Sequence, residues 1–192
     1  MRADAQRNYD RLLEEARQAF LVHGTDVALE DIARHAHVGI GTLYRHFPDR
    51  FALMSAVFEH ELDALRERAT ELMTHDDPTE ALTQWLSAVA VHSVPYRGLA
   101  ACIMQENGTR LASCKTQLRA AGGDLLRRAQ EAGVVRPDTR IGDLLKLTYA
   151  IVQATESNPK EPGLFGRLMS LAVDGMRTRE TESASVPTSV SA

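Results

Sequence analysis

Apolar residues recur at intervals of three and four positions along most of the chain, and this spacing predicts an all-α protein. Residues 1–48 are expected to form a three-helix bundle, with one helix over residues 9–24 and a pair of short helices after it. Further helical stripes over residues 49–180 predict an antiparallel helical domain, which brings the total to about nine helices. Residues 49–73 are predicted to be a single connecting helix, and residues 181–192 are small and polar, as in a disordered tail.

Residues 28–50 carry the most informative part of this pattern. An i, i+3, i+4, i+7 set of apolar positions predicts a first short helix, and Leu43 with Phe47 predicts a second one. Pro48 ends the second helix, and Asp49 is placed to cap the helix that follows. Two helices joined by about four residues are typical of a helix-turn-helix, whose second helix lies in the major groove of DNA.

The outward face of the second helix carries groups suited to nucleic acid. Gly41 lets the backbone approach a partner closely, and short polar, aromatic or cationic side chains surround it at Thr42, Tyr44, Arg45 and His46. Such side chains reach phosphates and base edges. Residues 34–50 hold three Arg, three His and one acid, in a chain of net charge −4. This local patch favours a specific DNA footprint, although a pair of core helices with a solvated polar face would show the same pattern.

The same stretch resembles the DNA-binding domain of the tetracycline-repressor (TetR) family of bacterial regulators. The resemblance covers roughly residues 5–58, and its signature is IA at 32–33, A-x-V at 36–38 and GTLYRHFPDR at 41–50, continued by Leu53 and Val57. It implies a helix-turn-helix domain on a homodimer with a helical ligand-binding half behind it. It also implies that the last two long helices form a four-helix dimer interface.

With this resemblance, we expect Tyr44, His46 and Arg50 to contact phosphates. Base contacts are expected from Ile40, Thr42 and Arg45. The whole set of predicted DNA-binding residues is Ala28, Gly39, Ile40, Gly41, Thr42, Tyr44, Arg45, His46 and Arg50.

Three positions depart from the usual pattern of the family. His37 stands where a glycine commonly makes the turn, and Gly39 stands where Ser or Thr commonly caps the second helix. Ala28 occupies the usual Thr or Ser cap of the first helix, which also tends to touch a phosphate. An unfavourable turn residue and weaker caps each cost on the order of 1 kcal/mol.

The remainder of the chain begins with a clear helix start at residues 77–80, where a capping Asp is followed by Pro and Glu. Gly122 and Gly123 interrupt a later helical stripe at a cost of roughly 1 kcal/mol each relative to alanine. The pair allows either a bend or close helix packing, and the sequence leaves both open.

A small-molecule cavity needs an apolar wall with a few polar groups, and so does an irregular core. Residues 78–156 contain such a mixture. The candidate ligand-binding residues are Trp85, Val89, His92, Tyr96, Cys102, Met104, Gln105 and Tyr149.

The last two predicted helices are apolar on more than one face, which predicts a second partner surface, most simply another subunit. The candidate dimer-interface residues are Leu144, Leu147, Ile151, Leu164, Leu168 and Leu171.

Composition argues against several classes of protein, including metal-binding, membrane and enzymatic ones. The two cysteines have neither CxxC nor His spacing, so we expect no zinc site, no other metal and no cofactor. The sequence shows no signal peptide and no 18-residue apolar run, which predicts a cytoplasmic protein without membrane contacts. A helical enzyme using His92, Tyr96, Cys102 or Cys114 is a remote alternative, since none of them has a recognisable base and orienting partner.

Together with the resemblance, the sequence therefore predicts a homodimeric repressor that binds a palindromic double-stranded operator and is released by an unidentified small-molecule effector. Activation in place of repression stays open at this point. A DNA-binding regulator controlled by a protein partner, or by no ligand, is the alternative.

Overall fold

The computed structural model describes residues 2–93 and 108–178. These residues form α-helices joined by short loops, and their one β-type pairing is an isolated bridge between Val135 and Arg177. The all-α prediction is confirmed, with eight helices in the described ranges. They are α1 (Arg2–His23), α2 (Leu29–His35), α3 (Ile40–His46), α4 (Arg50–Leu72), α5 (Pro78–Ser93), α6 (Gly108–Glu131), α7 (Ile141–Ser157) and α8 (Leu164–Met176).

The first helix begins earlier than its apolar pattern indicates, at Arg2 rather than near Tyr9. Its exposed first turns are held by side-chain pairs of helical spacing. Asp4 pairs with Arg7, and Nε2 of Gln6 donates to Oδ1 of Asp10 at 2.8 Å. Such pairs stabilise a helix without burying anything, so hydrophobic periodicity does not detect them.

Two hydrophobic cores organise the chain, and α4 contributes to both. The first core joins α1, α2 and α3, which we call the head, to the first half of α4 through Leu53, Met54 and Val57. It thus extends past the boundary predicted at residue 48. The second core joins Ala69 and Leu72 of α4 to α5–α8, which we call the body. At 1.5 Å per residue α4 is about 35 Å long, as a connecting helix requires.

The turn between α2 and α3 contains the departure noted at His37. Its φ is +55°, in the left-handed region that favours glycine. The peptide N–H of His37 donates to the carbonyl of Arg34 at 3.1 Å, and that of Val38 donates to Ala33 at 2.9 Å. These bonds hold the turn although its residue is unfavourable.

Replacing His37 by glycine is expected to raise the free energy of unfolding of the head by about 1 kcal/mol, because the left-handed strain disappears. Urea denaturation followed by circular dichroism measures this. His35→Gly is the matched control, since His35 lies in the last turn of α2 and glycine there lowers helix stability. Equal effects of the two substitutions would contradict the assignment of strain to His37.

Of the two adjacent glycines in α6, Gly122 serves close packing. A Cβ on Gly122 would lie 2.3 Å from two ring carbons of Trp85 and 2.9 Å from Cδ1 of Ile141, whereas one on Gly123 meets nothing within 4 Å. Nε1 of Trp85 donates to the carbonyl of Leu65 at 2.9 Å, and the residue is fully buried. Trp85 is therefore a core residue and not the predicted ligand contact.

The cap of α5 is where the sequence predicts it. Oδ1 of Asp77 accepts hydrogen bonds from the backbone N–H groups of Thr79 at 2.8 Å and Glu80 at 3.1 Å. The bonds from Glu80 and Thr79 hold the pKa of Asp77 below its usual range, so the cap stays charged.

The predicted dimer residues divide into two groups. Leu144 and Ile151 are buried in the second core of their own subunit, so these two predictions are wrong. Leu147 is 44% exposed and Leu171 is 69% exposed. Leu164 and Leu168 are half-buried. Helical spacing identified two apolar stripes on α7 but not which of them packs inward.

None of the helices in the described ranges combines the length and the apolar character that a membrane span requires.

Candidate nucleic-acid interface

Helix α3 is fixed to the rest of the head by Leu43 and by Phe47, the residue that follows its last turn. Leu43 is completely buried and Phe47 nearly so, and both pack in the first core. The helix begins after Gly39, whose carbonyl accepts from the N–H groups of Thr42 at 2.8 Å and Leu43 at 3.1 Å. No side chain caps it, as expected for glycine at this position. The anchored inner face fixes the direction in which the outer face points.

The outer face of α3 is open to solvent. Ile40 is 39% exposed and Tyr44 is 45% exposed, while Gly41 and Arg45 are also exposed and Thr42 is half-buried. Ala28 and Gly39 are exposed as well. Most of the predicted DNA-binding side chains thus share one accessible surface, which we call the α3 face.

Arg45 is the cation available on the α3 face. Two other arginines of the head are engaged with acids: Nη2 of Arg34 lies 2.6 Å from Oδ1 of Asp31, and Nη2 of Arg17 lies 2.8 Å from Oε1 of Glu14. Among the residues that the structure describes, Arg45 forms no salt bridge, so its guanidinium is available for a phosphate or a base edge.

His46 is partly engaged inside the head. Its ring centroid lies 5.8 Å from that of Tyr9 in an edge-on arrangement, and 6.2 Å from that of Phe47. These contacts hold the end of α3 against α1. His46 remains half-exposed, so its predicted phosphate contact stays a prediction.

Arg50 makes contacts within the head that the sequence did not predict. Its Nη1 donates to the carbonyl oxygens of Thr25 at 2.7 Å and Val27 at 2.5 Å, in the loop between α1 and α2. Arg50 therefore clamps this loop to the start of α4, and its predicted phosphate contact stays a prediction. The acceptors are backbone carbonyls more than twenty positions away, which no motif in the sequence indicates.

A buried carboxylate that sequence reasoning missed lies between head and body. Glu61 of α4 is 8% exposed, and its Oε2 lies 3.0 Å from Nδ1 of His92 in α5. Its Oε1 lies 3.8 Å from Nε of Arg17 in α1. The sequence does contain an indication of this site, since Glu61 falls between Val57 and Leu65 on the buried stripe of α4. An acid in that position needs a partner.

The described ligand candidates do not come together at one site. His92 is bonded to Glu61, Trp85 is core, and Val89 packs at the edge of the second core. Tyr149 is 45% exposed on α7. The other four candidates lie outside the described residues: Tyr96, Cys102, Met104 and Gln105.

A groove of about 420 Å³ lies between α5 and α8, and none of the predicted ligand residues lines it. Its α8 side is formed by Phe165, Met169 and Val173 together with Asp174. Its α5 side is polar, with Thr83 among its residues. A space of this size is in the range that small organic molecules occupy.

Comparison with known families gives two matches that together span most of the chain. The family described as "Bacterial regulatory proteins, tetR family" matches residues 12–57. The family described as "Transcriptional regulator SbtR-like, C-terminal domain" matches residues 77–178. The first match covers the head and the start of α4, and the second covers the body.

Individual relatives agree with these matches. An HTH-type transcriptional regulator of Staphylococcus aureus (strain USA300) is 39% identical over 64 residues, which are 33% of this chain, and the chain spans only 35% of that curated relative. The crystal structure of a TetR transcriptional regulator from Streptomyces coelicolor is 31% identical with a TM-score of 0.74, covering 89% of this chain and 99% of that one. A TetR regulatory protein from Mycobacterium vanbaalenii is 31% identical with a TM-score of 0.72, covering 92% and 99%.

Proposed function

Because the chain belongs to the TetR family of bacterial transcriptional regulators, we propose that it is a homodimeric repressor that binds a palindromic operator and is released by a small molecule. As a member of this family it is a DNA-binding regulator and not an enzyme. The observation that carries the proposal is the α3 face, where Tyr44 and Arg45 are exposed on a helix that Leu43 and Phe47 anchor in the first core. We place its action in the cytoplasm, on a double-stranded DNA operator.

The dimer is proposed to form through α7 and α8. Leu147 and Leu171 present large apolar groups to solvent, and Leu164 and Leu168 are half-buried beside Leu171 on α8. A helix that is apolar on its outer side as well as its inner side has a second partner to bury against. A twofold axis through this surface would present two α3 faces to one duplex, about 34–36 Å apart or a multiple of that distance.

Release is proposed to act through the connecting helix. Because α4 contributes to both cores, a ligand that changes the packing of the body also changes the orientation of the head. A ligand that binds one orientation better by about 1–3 kcal/mol changes operator affinity by about 5–150-fold. The groove between α5 and α8 is large enough to be the site of such a ligand.

Selection from a pool of random duplexes tests this proposal. A palindromic consensus is expected, with affinity that falls steeply with salt, and analytical ultracentrifugation should find one dimer on each site. A small-molecule screen for thermal stabilisation should then yield compounds that also release the operator. Absence of duplex binding would refute the function. Stable binding that no small molecule relieves would indicate a regulator controlled by a partner or by no ligand.

The substitution Arg45→Ala is expected to weaken operator binding by about 1–3 kcal/mol, or about 5–150-fold, and to relax preference at one base pair in each half-site. The measurement is a fluorescence anisotropy titration against the operator and its single-base variants. Arg127→Ala is the matched control, because Arg127 is an exposed arginine of α6 in the body. A uniform loss across all duplexes would assign Arg45 to a phosphate instead.

A further inference from the structure

Ile40 is an exposed aliphatic side chain at the first position of α3, between two glycines. A single exposed isoleucine is ordinary on a protein surface. The setting of Ile40 is less common, because the residues before and after it, Gly39 and Gly41, have no side chains. Ile40 therefore reaches the surface of the α3 face without a side chain at the position before or after it.

The fold itself gives no reason for glycine at position 41. A Cβ there would meet nothing within 4 Å, and among the described residues a positive φ in glycine occurs elsewhere, at Gly24, Gly133 and Gly163. Glycine is less favourable than alanine within a helix. At Gly39 the nearest atom to an added Cβ would be Oγ1 of Thr42 at 4.0 Å, so that position has room as well. The missing side chains instead suit the close approach of an external surface.

We propose that Ile40 reads the C5-methyl group of a thymine in the major groove of each half-site. This inference rests on the proposed function, in which α3 enters that groove. The major-groove edges of the base pairs present hydrogen-bond donors, acceptors and one apolar group, the thymine methyl. Isoleucine has no polar atom, so it cannot replace the water that a donor or acceptor loses on contact. Thymine is the base edge that its side chain complements.

The neighbouring residue on this face is compatible with that placement. Tyr44 lies four positions after Ile40, one helical turn along the same side. Its hydroxyl can contact a backbone phosphate while Ile40 contacts the base edge, so the two groups do not compete for one partner.

Replacing thymine by deoxyuridine, one position at a time in the selected operator, removes only the methyl group. At one thymine in each half-site we expect binding to weaken about fourfold per half-site, which is the factor that one buried methyl group corresponds to. The variant Ile40→Ala should bind the thymine and uracil operators equally at that position. Val22→Ala is the control, because Val22 is an exposed valine on α1, and it should keep the full discrimination.

A second measurement tests the close approach separately. Gly41→Ala should unfold at a higher temperature than the parent protein and yet bind the operator more weakly. Unchanged binding by Gly41→Ala would overturn the close approach. The thymine contact would be overturned if Ile40→Ala still bound the uracil operator more weakly than the thymine operator. It would also be overturned if uracil weakened binding of the parent protein at none of the thymines. Failure to select any duplex would instead refute the proposed function.

Discussion

Gly122→Ala is expected to destabilise the body by about 3 kcal/mol, although alanine is the better helix former. The added Cβ would lie 2.3 Å from two ring carbons of Trp85 and 2.9 Å from Ile141. The indole cannot move away easily, because it is completely buried and its Nε1 donates to the carbonyl of Leu65. Insertion of a methyl group therefore forces α5 and α6 apart.

Urea denaturation measures this effect, and the fluorescence of Trp85, the chain's one tryptophan, reports on the body directly. Gly123→Ala is the matched control in the same helix. It has open space around it and should stabilise the protein by up to about 1 kcal/mol. Combining Gly122→Ala with Trp85→Leu should cost less than the sum of the two single changes, because they share one contact. If both glycine variants were stabilised alike, the packing argument would fail.

Leu43→Ala is expected to destabilise the head by about 2–5 kcal/mol, because it leaves a cavity under α3. Leu43 has no exposed surface, and the first core surrounds it. Operator affinity should fall together with stability, since the α3 face depends on this anchor.

Far-ultraviolet circular dichroism and hydrogen exchange of the head are the suitable measurements, because Trp85 lies in the other core. Ile40→Ala is the control for stability. Ile40 lies on the same helix but is 39% exposed, so its truncation should change the free energy of unfolding by about 0.5 kcal/mol or less. A fully stable Leu43→Ala variant would show that α3 is held in another way.

Features that depend on neighbours along the chain were predictable from the sequence. The Asp77 cap needs only the next three residues, and the buried positions Leu43 and Phe47 follow from helical spacing. The left-handed turn at His37 was indicated by a residue standing where glycine is usual. In each case the physical cause lies within one or two turns of the residue it affects.

Features that depend on contacts between distant helices were not predictable. The Arg50 clamp depends on a loop more than twenty positions away, and the close packing at Gly122 depends on Trp85 of another helix. The same applies to the dimer candidates on α7. Periodicity marked Leu144, Leu147 and Ile151 together as apolar, but packing against α5 and α8 buried two of them and left Leu147 exposed.

The Arg50 clamp has a consequence for the proposed release of the operator. Because it ties the loop after α1 to the first residue of α4, and the first core joins the same parts, we expect the head to turn with α4 as one piece. A helix about 35 Å long that tilts by about 5.5° displaces its tip by about 3.4 Å, which is the length of one base-pair step. Opposite displacements in the two subunits would change the distance between the two α3 helices, so that both could no longer fit the major groove of one duplex. No helix would have to unfold.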